Sequence, residues 1–228
     1  YRVYRYDATE DKYVYLKSTK SRSYSDEDVR SGKTYQYRVR CYWTIGGTNY
    51  YGNYSSVVSV TTPPAKVSSV NTAKKSSTYM TLSWKKVSGA SGYRVYKYNT
   101  KTKAYEKVTT IASGSTTSYK VTGLASATEY QFKVRAYKKA EDGNVWGSSS
   151  VVYKESTNPS KTKNLKLSTK SSAVTISWGK VARSSGYAVY RYDSKTKKYV
   201  RIATVKSGKT VTYKDAKLKK GSTKHYKV

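Results

Sequence analysis

One cysteine, one histidine, 3 prolines and 13 acidic residues are all that this 228-residue chain holds of those types. A lone Cys41 rules out an internal disulfide framework, and a lone His225 leaves almost nothing for a zinc site or a histidine-dependent triad. Neither a catalytic residue nor a metal ligand can be nominated, and no cofactor is implied. No stretch approaches the ~18 consecutive apolar residues of a membrane helix, and no amino-terminal apolar run resembles a signal peptide. The expectation is a segment without a membrane span.

Tyrosine and positive charge are what the chain has in excess. It carries 27 Tyr against 4 Trp and 1 Phe, and 45 Lys+Arg for a net charge of +32. Tyr, Thr and Val favour strands. Tyr79-Met-Thr-Leu-Ser-Trp84, Val174-Thr-Ile-Ser-Trp178 and Tyr130-Gln-Phe-Lys-Val-Arg-Ala136 alternate apolar and polar residues, the period of a half-buried strand. No segment has helical periodicity.

An internal repeat organises the rest. Tyr1-Arg-Val-Tyr-Arg-Tyr-Asp7 recurs as Tyr93-Arg-Val-Tyr-Lys-Tyr-Asn99 and as Tyr187-Ala-Val-Tyr-Arg-Tyr-Asp193, while Trp84 recurs as Trp178. Thr34-Tyr-Gln-Tyr-Arg-Val-Arg-Cys-Tyr42 matches Thr128-Glu-Tyr-Gln-Phe-Lys-Val-Arg-Ala-Tyr137, and the third copy reaches His225-Tyr-Lys-Val228. A period above 90 residues is that of a whole domain, longer than a solenoid repeat of ~20–50 residues. With Pro63-Pro64 and Pro159 opening the later copies, the expected division is a partial repeat at 1–62, a complete one at 63–158 and a partial one at 159–228.

About seven short strands per unit, a Trp in the second and a Tyr opening the sixth describe an immunoglobulin-like sandwich. The complete unit resembles a fibronectin type III domain through Trp84, Tyr93-Arg-Val95 and Leu124-Ala-Ser-Ala-Thr-Glu-Tyr130. The resemblance implies an all-β chain of tandem seven-stranded sandwiches with incomplete end copies: the first would run from strand C to G, the last from A to F. It also implies a tyrosine corner at Tyr35 and Tyr130, with Lys224 in that place in the third copy. Lys- and Tyr-rich tandem copies, with Tyr50-Tyr-Gly-Asn-Tyr-Ser55 and Val145-Trp-Gly-Ser148 after the sixth strand, are similar to repeats of secreted or wall-attached proteins of Gram-positive bacteria.

Alternation assigns Leu82, Trp84, Tyr93, Val95, Phe132, Val134 and Ala136 to the core. Cys41 aligns with Ala136 and reads as a small buried core residue. In the first copy, which lacks strands A and B, Val3, Val39 and Cys41 are expected to lack an opposing sheet, and the middle copy is expected to be the most ordered. The outward positions are the only candidate ligand-binding residues. On strand C they are Arg94, Tyr96 and Tyr98, repeated as Arg2, Tyr4 and Tyr6 and as Ala188, Tyr190 and Tyr192. On strand F they are Lys133, Arg135 and Tyr137, repeated as Arg38, Arg40 and Tyr42. Cations and rings interleaved on one face suit sugar rings or an anionic polymer. Ordinary cross-strand pairing, which stabilises a sheet by ~0.2–1 kcal/mol per pair, accounts for the same pattern.

Charge is uneven: residues 1–62 carry net +4, residues 63–158 net +11 and residues 159–228 net +17. Such charge attracts cell-wall polymer, anionic lipid or nucleic acid in a salt-dependent way. No recognition helix accompanies it, so no dedicated nucleic-acid role is expected. Ser31-Gly-Lys-Thr34 and Ser207-Gly-Lys-Thr210 imitate the end of a phosphate loop but lack its first glycine and its helix, and read as turns. Asp26-Glu-Asp28 and Glu10-Asp11 lack the spacing of a calcium loop.

The resulting expectation is a non-catalytic spacer and interaction segment of an extracellular, secreted or wall-attached protein, positioning other domains of its polypeptide. The alternative is a module for polysaccharide, wall polymer or adhesion that uses the Tyr/Arg/Lys face. Accessory domains of a larger extracellular enzyme fit either. Self-association through the incomplete end repeats is the remaining partner expectation.

Overall fold

The computed structural model describes residues 1–228, and its regular structure is entirely β. In the first copy the strands are β1 (Arg2–Asp7), β2 (Lys12–Ser18), β3 (Thr34–Arg40), β4 (Tyr42–Ile45), β5 (Thr48–Tyr51) and β6 (Val58–Thr61). The middle copy supplies β7 (Asn71–Lys75), β8 (Met80–Ser83), β9 (Gly92–Asn99), β10 (Ala104–Ile111), β11 (Ser118–Val121), β12 (Glu129–Ala140), β13 (Gly143–Ser149) and β14 (Tyr153–Ser156). The third supplies β15 (Lys166–Lys170), β16 (Ala173–Ser177), β17 (Tyr187–Asp193), β18 (Lys198–Val205), β19 (Thr212–Asp215) and β20 (Tyr226–Lys227).

The chain divides into two compact units. One comprises Tyr1–Asn71, Ser83–Ser118 and Gln131–Tyr153; the other comprises Thr72–Leu82, Tyr119–Tyr130 and Lys154–Val228. In the first unit lie the sheet β2-β1-β3-β6, the hairpin β4-β5 and the sheet β10-β9-β12-β13. In the second lie β11-β8-β7, β15-β16-β19 and β18-β17-β20. Every ladder with a resolved register is antiparallel, so short connections suffice.

The third copy displays the sandwich within one unit. Ile176 and Trp178 from the β16 side meet Tyr187, Val189 and Tyr226 from β17 and β20 in one buried cluster, with Val181 from the intervening loop. Trp178 meets Tyr187 edge to face at 5.2 Å, and Trp84 meets Tyr93 in the same way at 5.4 Å. The Tyr187 and Tyr93 hydroxyls accept the backbone N–H groups of Val181 and Val87, at 3.0 and 2.9 Å. A ring that large can be buried because its one polar atom is satisfied.

The core assigned by alternation is buried throughout, from Leu82 and Trp84 to Val134 and Ala136. The tyrosine corners also form: Tyr35 and Tyr130 each accept a backbone N–H from five residues upstream, from Arg30 at 2.7 Å and Ala125 at 2.8 Å. The hairpins β1-β2, β9-β10 and β17-β18 repeat in detail. Asp7, Asn99 and Asp193 accept backbone N–H groups two residues on, and Asp11, Lys103 and Lys197 take the left-handed conformation that closes each turn.

Cys41 departs from expectation. Its aligned partner Ala136 is fully buried, whereas Cys41 is exposed. Beside the sheet β2-β1-β3-β6 the first copy has only the hairpin β4-β5, and the position is left uncovered; Val39, on the same face, is 39% exposed. Val3 is nonetheless buried, because the segment between β2 and β3 runs over that face and brings Tyr24, Asp26 and Val29 to the cavity that Val3 lines.

Candidate functional site

The outward face of the first copy is the densest array of cations and rings in the chain. Arg2 and Arg40 are directly opposed between β1 and β3, and Arg38 opposes Tyr4. The Arg2 guanidinium lies 4.8 Å from the Tyr51 ring and 5.2 Å from that of Tyr42. Arg38 lies 3.7 Å from Tyr54 and 4.1 Å from Tyr13, and Arg40 lies 3.9 Å from Tyr51. None of the three is paired with a carboxylate. Arg40 Nε donates to the Tyr4 hydroxyl at 3.0 Å. Burial alone would raise the Tyr4 pKa, but interactions with Arg40, Tyr54 and Arg2 together outweigh it and the phenol sits below its ordinary value. The rings fix the guanidinium positions and leave their positive charge uncompensated.

The middle copy uses the same positions more sparsely. Arg94 stands 4.1 Å from the Trp146 ring, and Arg135, whose Nε donates to the Gly147 carbonyl, stands 5.5 Å from it. Lys133 lies over Tyr105 at 4.2 Å, and Tyr105 in turn meets Tyr98 at 5.2 Å. Tyr96 is half-buried between Lys107 and Lys133 of the flanking strands. Tyr137 is not on the open face. It is buried against Trp146 at 4.9 Å and over Gly92, where an added Cβ would lie 2.6 Å from its hydroxyl. In the third copy Tyr190 sits between Arg201 and Lys227, and Tyr192 meets Tyr199 and His225 edge to face.

Two features escape a strand-by-strand reading. The first is a partly buried ionic triad in both end copies, deepest at Asp215 and Tyr226 of the third. Arg5 donates to Asp26 at 2.7 Å and so does the Tyr37 hydroxyl at 2.7 Å; Arg191 and Tyr226 converge on Asp215, each at 2.9 Å. Burial first, then donation to the carboxylate, pushes Tyr37 and Tyr226 up to about 12. Burial works against ionisation of Asp26, but the bonds from Tyr37 and Arg5 hold its carboxyl below the usual range. Aligned on the repeat, the middle copy has Lys97, Val121 and Phe132 at these three positions. Carboxylate and phenol are exchanged together for apolar groups, as a mutually dependent set requires.

The second feature is a joint built twice. At the end of β6, Thr62 N–H donates to the Lys33 carbonyl at 2.8 Å, its hydroxyl donates to the Arg30 carbonyl at 2.6 Å, and the same hydroxyl accepts Lys33 N–H at 3.1 Å. Thr157 repeats each bond against Thr128 and Ala125, at 3.0, 2.6 and 3.1 Å. Gly32 N–H reaches the Pro63 carbonyl, and Ala127 N–H reaches that of Asn158, both at 3.1 Å. Gly32 and Gly89 touch through their backbones: a Cβ on Gly89 would lie 2.6 Å from the Gly32 oxygen, and both residues have positive φ. Their counterparts in the next joint are Ala127 and Arg183, also at positive φ. There the Arg183 guanidinium bonds to the Thr128 hydroxyl and to the Ser126 carbonyl. One fixed geometry is thus reached by backbone contact in one joint and by a side chain in the other.

The deciding comparison is local. Residues 63–152 match the fibronectin type III domain. The chain is all-β, and the matching segment is the middle one of its three repeated copies; domains of the type it matches commonly serve as structural or interaction modules. Among solved structures, the chain is similar to the chicken CNTN1 FN1–FN3 domains at 20% identity, over 99% of this chain and 83% of that one, with a TM-score of 0.39. It is also similar to a two-domain fibronectin type III segment of chicken tenascin at 22% identity, over 68% and 83%, with a TM-score of 0.40. A domain of the human fibronectin type III domain containing protein 3 matches at 23% identity over 44% of this chain and 92% of its own, with a TM-score of 0.37.

Proposed function

We propose that this chain is a non-catalytic spacer, extracellular and secreted or attached to a Gram-positive cell wall, that holds other modules of its polypeptide at set distance and direction. The observation that supports this reading is a contact across each junction, Gly32 against Gly89 in the first and Arg183 on Thr128 and Ser126 in the second, which a freely hinged linker would not keep. Thr62 and Thr157 hold the turns that make these contacts through the same three hydrogen bonds inside their own copies. Each joint removes linker conformations and so transmits orientation from one repeat to the next. Nitrogen relaxation on the full chain tests it. Repeats held by these joints share one tumbling time, and Arg183→Ala separates the value of the third repeat from that of the second without unfolding either. Independent tumbling in the unsubstituted chain would remove the reading.

The uncompensated guanidiniums of Arg2, Arg38 and Arg40 support a second role for the same chain, retention on an anionic wall polymer or polysaccharide. Retention on a uronic-acid polymer is expected to weaken with salt and to fall further in Arg38→Gln with Arg40→Gln. Equal retention by that variant would leave diffuse charge as its cause.

A further inference from the structure

Opposed arginines recur on the outward face. In the middle copy Arg94 of β9 and Arg135 of β12 face each other across the ladder, and their row continues to Thr110 of β10 on one side and Ser149 of β13 on the other. In the first copy Arg2 and Arg40 make the same pair, with Ser18 beside Arg2. Each row offers guanidiniums and hydroxyls and no carboxylate. Directly opposed like charges destabilise an antiparallel pair, so cross-strand packing gives no reason to build the arrangement twice. Overall charge gives none either: the third copy, the most basic segment at net +17, has Ala188 in the place of Arg94.

One ring serves both arginines of each pair. Trp146 lies 4.1 Å from the Arg94 guanidinium and 5.5 Å from that of Arg135, and Tyr51 lies 4.8 Å from Arg2 and 3.9 Å from Arg40. Both rings stand eleven residues after the arginine of β12 or β3 and directly before a glycine. Trp146 is backed by Tyr137, so it is a shelf for guanidiniums rather than a free stacking surface. The hydrogen bonds that anchor these arginines leave from Nε: Arg94 to the Thr110 hydroxyl at 3.1 Å, Arg135 to the Gly147 carbonyl and Arg40 to the Tyr4 hydroxyl at 3.0 Å. Four half-buried guanidiniums are thus held in place with no carboxylate on their Nη groups.

We infer that each arginine pair is a site for one tetrahedral oxyanion, a phosphate or sulfate ester carried on a polymer. The inference rests on the polymer-retention reading above and narrows it from anionic polymers in general to one chemical class. Guanidiniums on adjacent strands approach one anion from two sides. A tetrahedral ester offers separate oxygens to the two forks, whereas a planar carboxylate presents both oxygens to one fork and leaves the other guanidinium unpaired. The hydroxyl of Thr110 or Ser18 at the end of the row is a further donor. Two such pairs in one chain strengthen retention on a repeating polymer by avidity.

The test is retention of the full chain on immobilised inorganic polyphosphate, dextran sulfate and polygalacturonate of matched charge density, at ~0.15 M salt. Retention on polyphosphate or dextran sulfate should exceed that on polygalacturonate about tenfold, and the stronger of the two identifies the ester. Arg94→Lys with Arg135→Lys keeps the charge and removes the forks, and should weaken binding to the preferred polymer about tenfold. Lys85→Gln with Lys86→Gln, exposed in the same copy, removes two charges and should weaken it less. The comparison of polymers uses the unsubstituted chain, so it stands whether or not a variant folds. Equal retention on all three polymers, or unchanged binding by the folded lysine variant, overturns the paired sites and leaves retention by diffuse charge intact. No retention on any polymer removes both readings.

Discussion

The Tyr226 hydroxyl donates to Asp215 at 2.9 Å beneath the third copy's sandwich, and Arg191 reaches the same carboxylate oxygen from β17. Asp215→Asn leaves both donors facing a neutral amide. The expected loss is ~1–3 kcal/mol, the cost of a buried polar group left poorly matched, moderated because Arg191 keeps part of its guanidinium in water. The triple substitution Arg191→Lys, Asp215→Val and Tyr226→Phe, which installs the middle copy's residues, should cost less than Asp215→Asn alone. Denaturant titration of the full chain, read at tryptophan, compares the two.

The same triads predict an alkaline limit. Tyr37 and Tyr226 have folded-state pKa values of about 12, above the ~10 of an unfolded tyrosine. The folded state therefore favours the protonated phenol. Its contribution to stability is complete below pH ~10, declines as pH rises and is gone by about 12. Asp26 acts in the opposite direction: its lowered pKa contributes stability above the ordinary carboxylate range, and this is lost as pH falls through it. Phenolate absorbance followed alongside circular dichroism should show a late-titrating pair of tyrosines whose ionisation accompanies loss of end-copy structure. Tyr37→Phe should remove one of them.

Truncating either core tryptophan should cost ~3–5 kcal/mol in its own repeat. Trp84→Ala removes the ring that covers Tyr93, and Trp178→Ala the ring that covers Tyr187. Trp43 is the contrasting case. It lies in β4 of the β4–β5 hairpin, before the Gly46-Gly47 turn, and is 72% exposed, so Trp43→Lys, the residue found at the aligned Lys138, should change stability by no more than ~0.5 kcal/mol. Melting curves of the three variants separate the classes.

The sequence already disclosed whatever repeats at fixed spacing. Alternation located Leu82, Trp84, Val95 and Val134 in the core, and the Trp–Tyr pairs followed from the sandwich. The triads stayed hidden because Arg5 and Asp26 are 21 residues apart, whereas Arg191 and Asp215 are 24 apart, and because Asp26 lies outside any strand. The signal that would have found them is substitution between copies, with Asp and Tyr giving way together to Val121 and Phe132. Cys41 misled because alignment reports which face a residue takes, not whether a second sheet lies upon that face. Tyr137 misled in the opposite sense: an outward position became buried when Trp146 folded over it from the neighbouring strand.

The joints were also invisible to periodicity, since hydrogen bonds from one threonine to a turn leave no pattern. A distance measured across the first joint tests whether they set direction between repeats. Spin labels on Lys12→Cys and Lys103→Cys in a Cys41→Ser chain span the first joint within one compact unit, and pulsed dipolar spectroscopy gives their distance distribution. A spacer that sets direction gives a narrow single distribution that broadens in Gly89→Val, whose side chain has no room beside the Gly32 oxygen. A broad distribution in the parent chain, unchanged by that substitution, would contradict a spacer that sets direction.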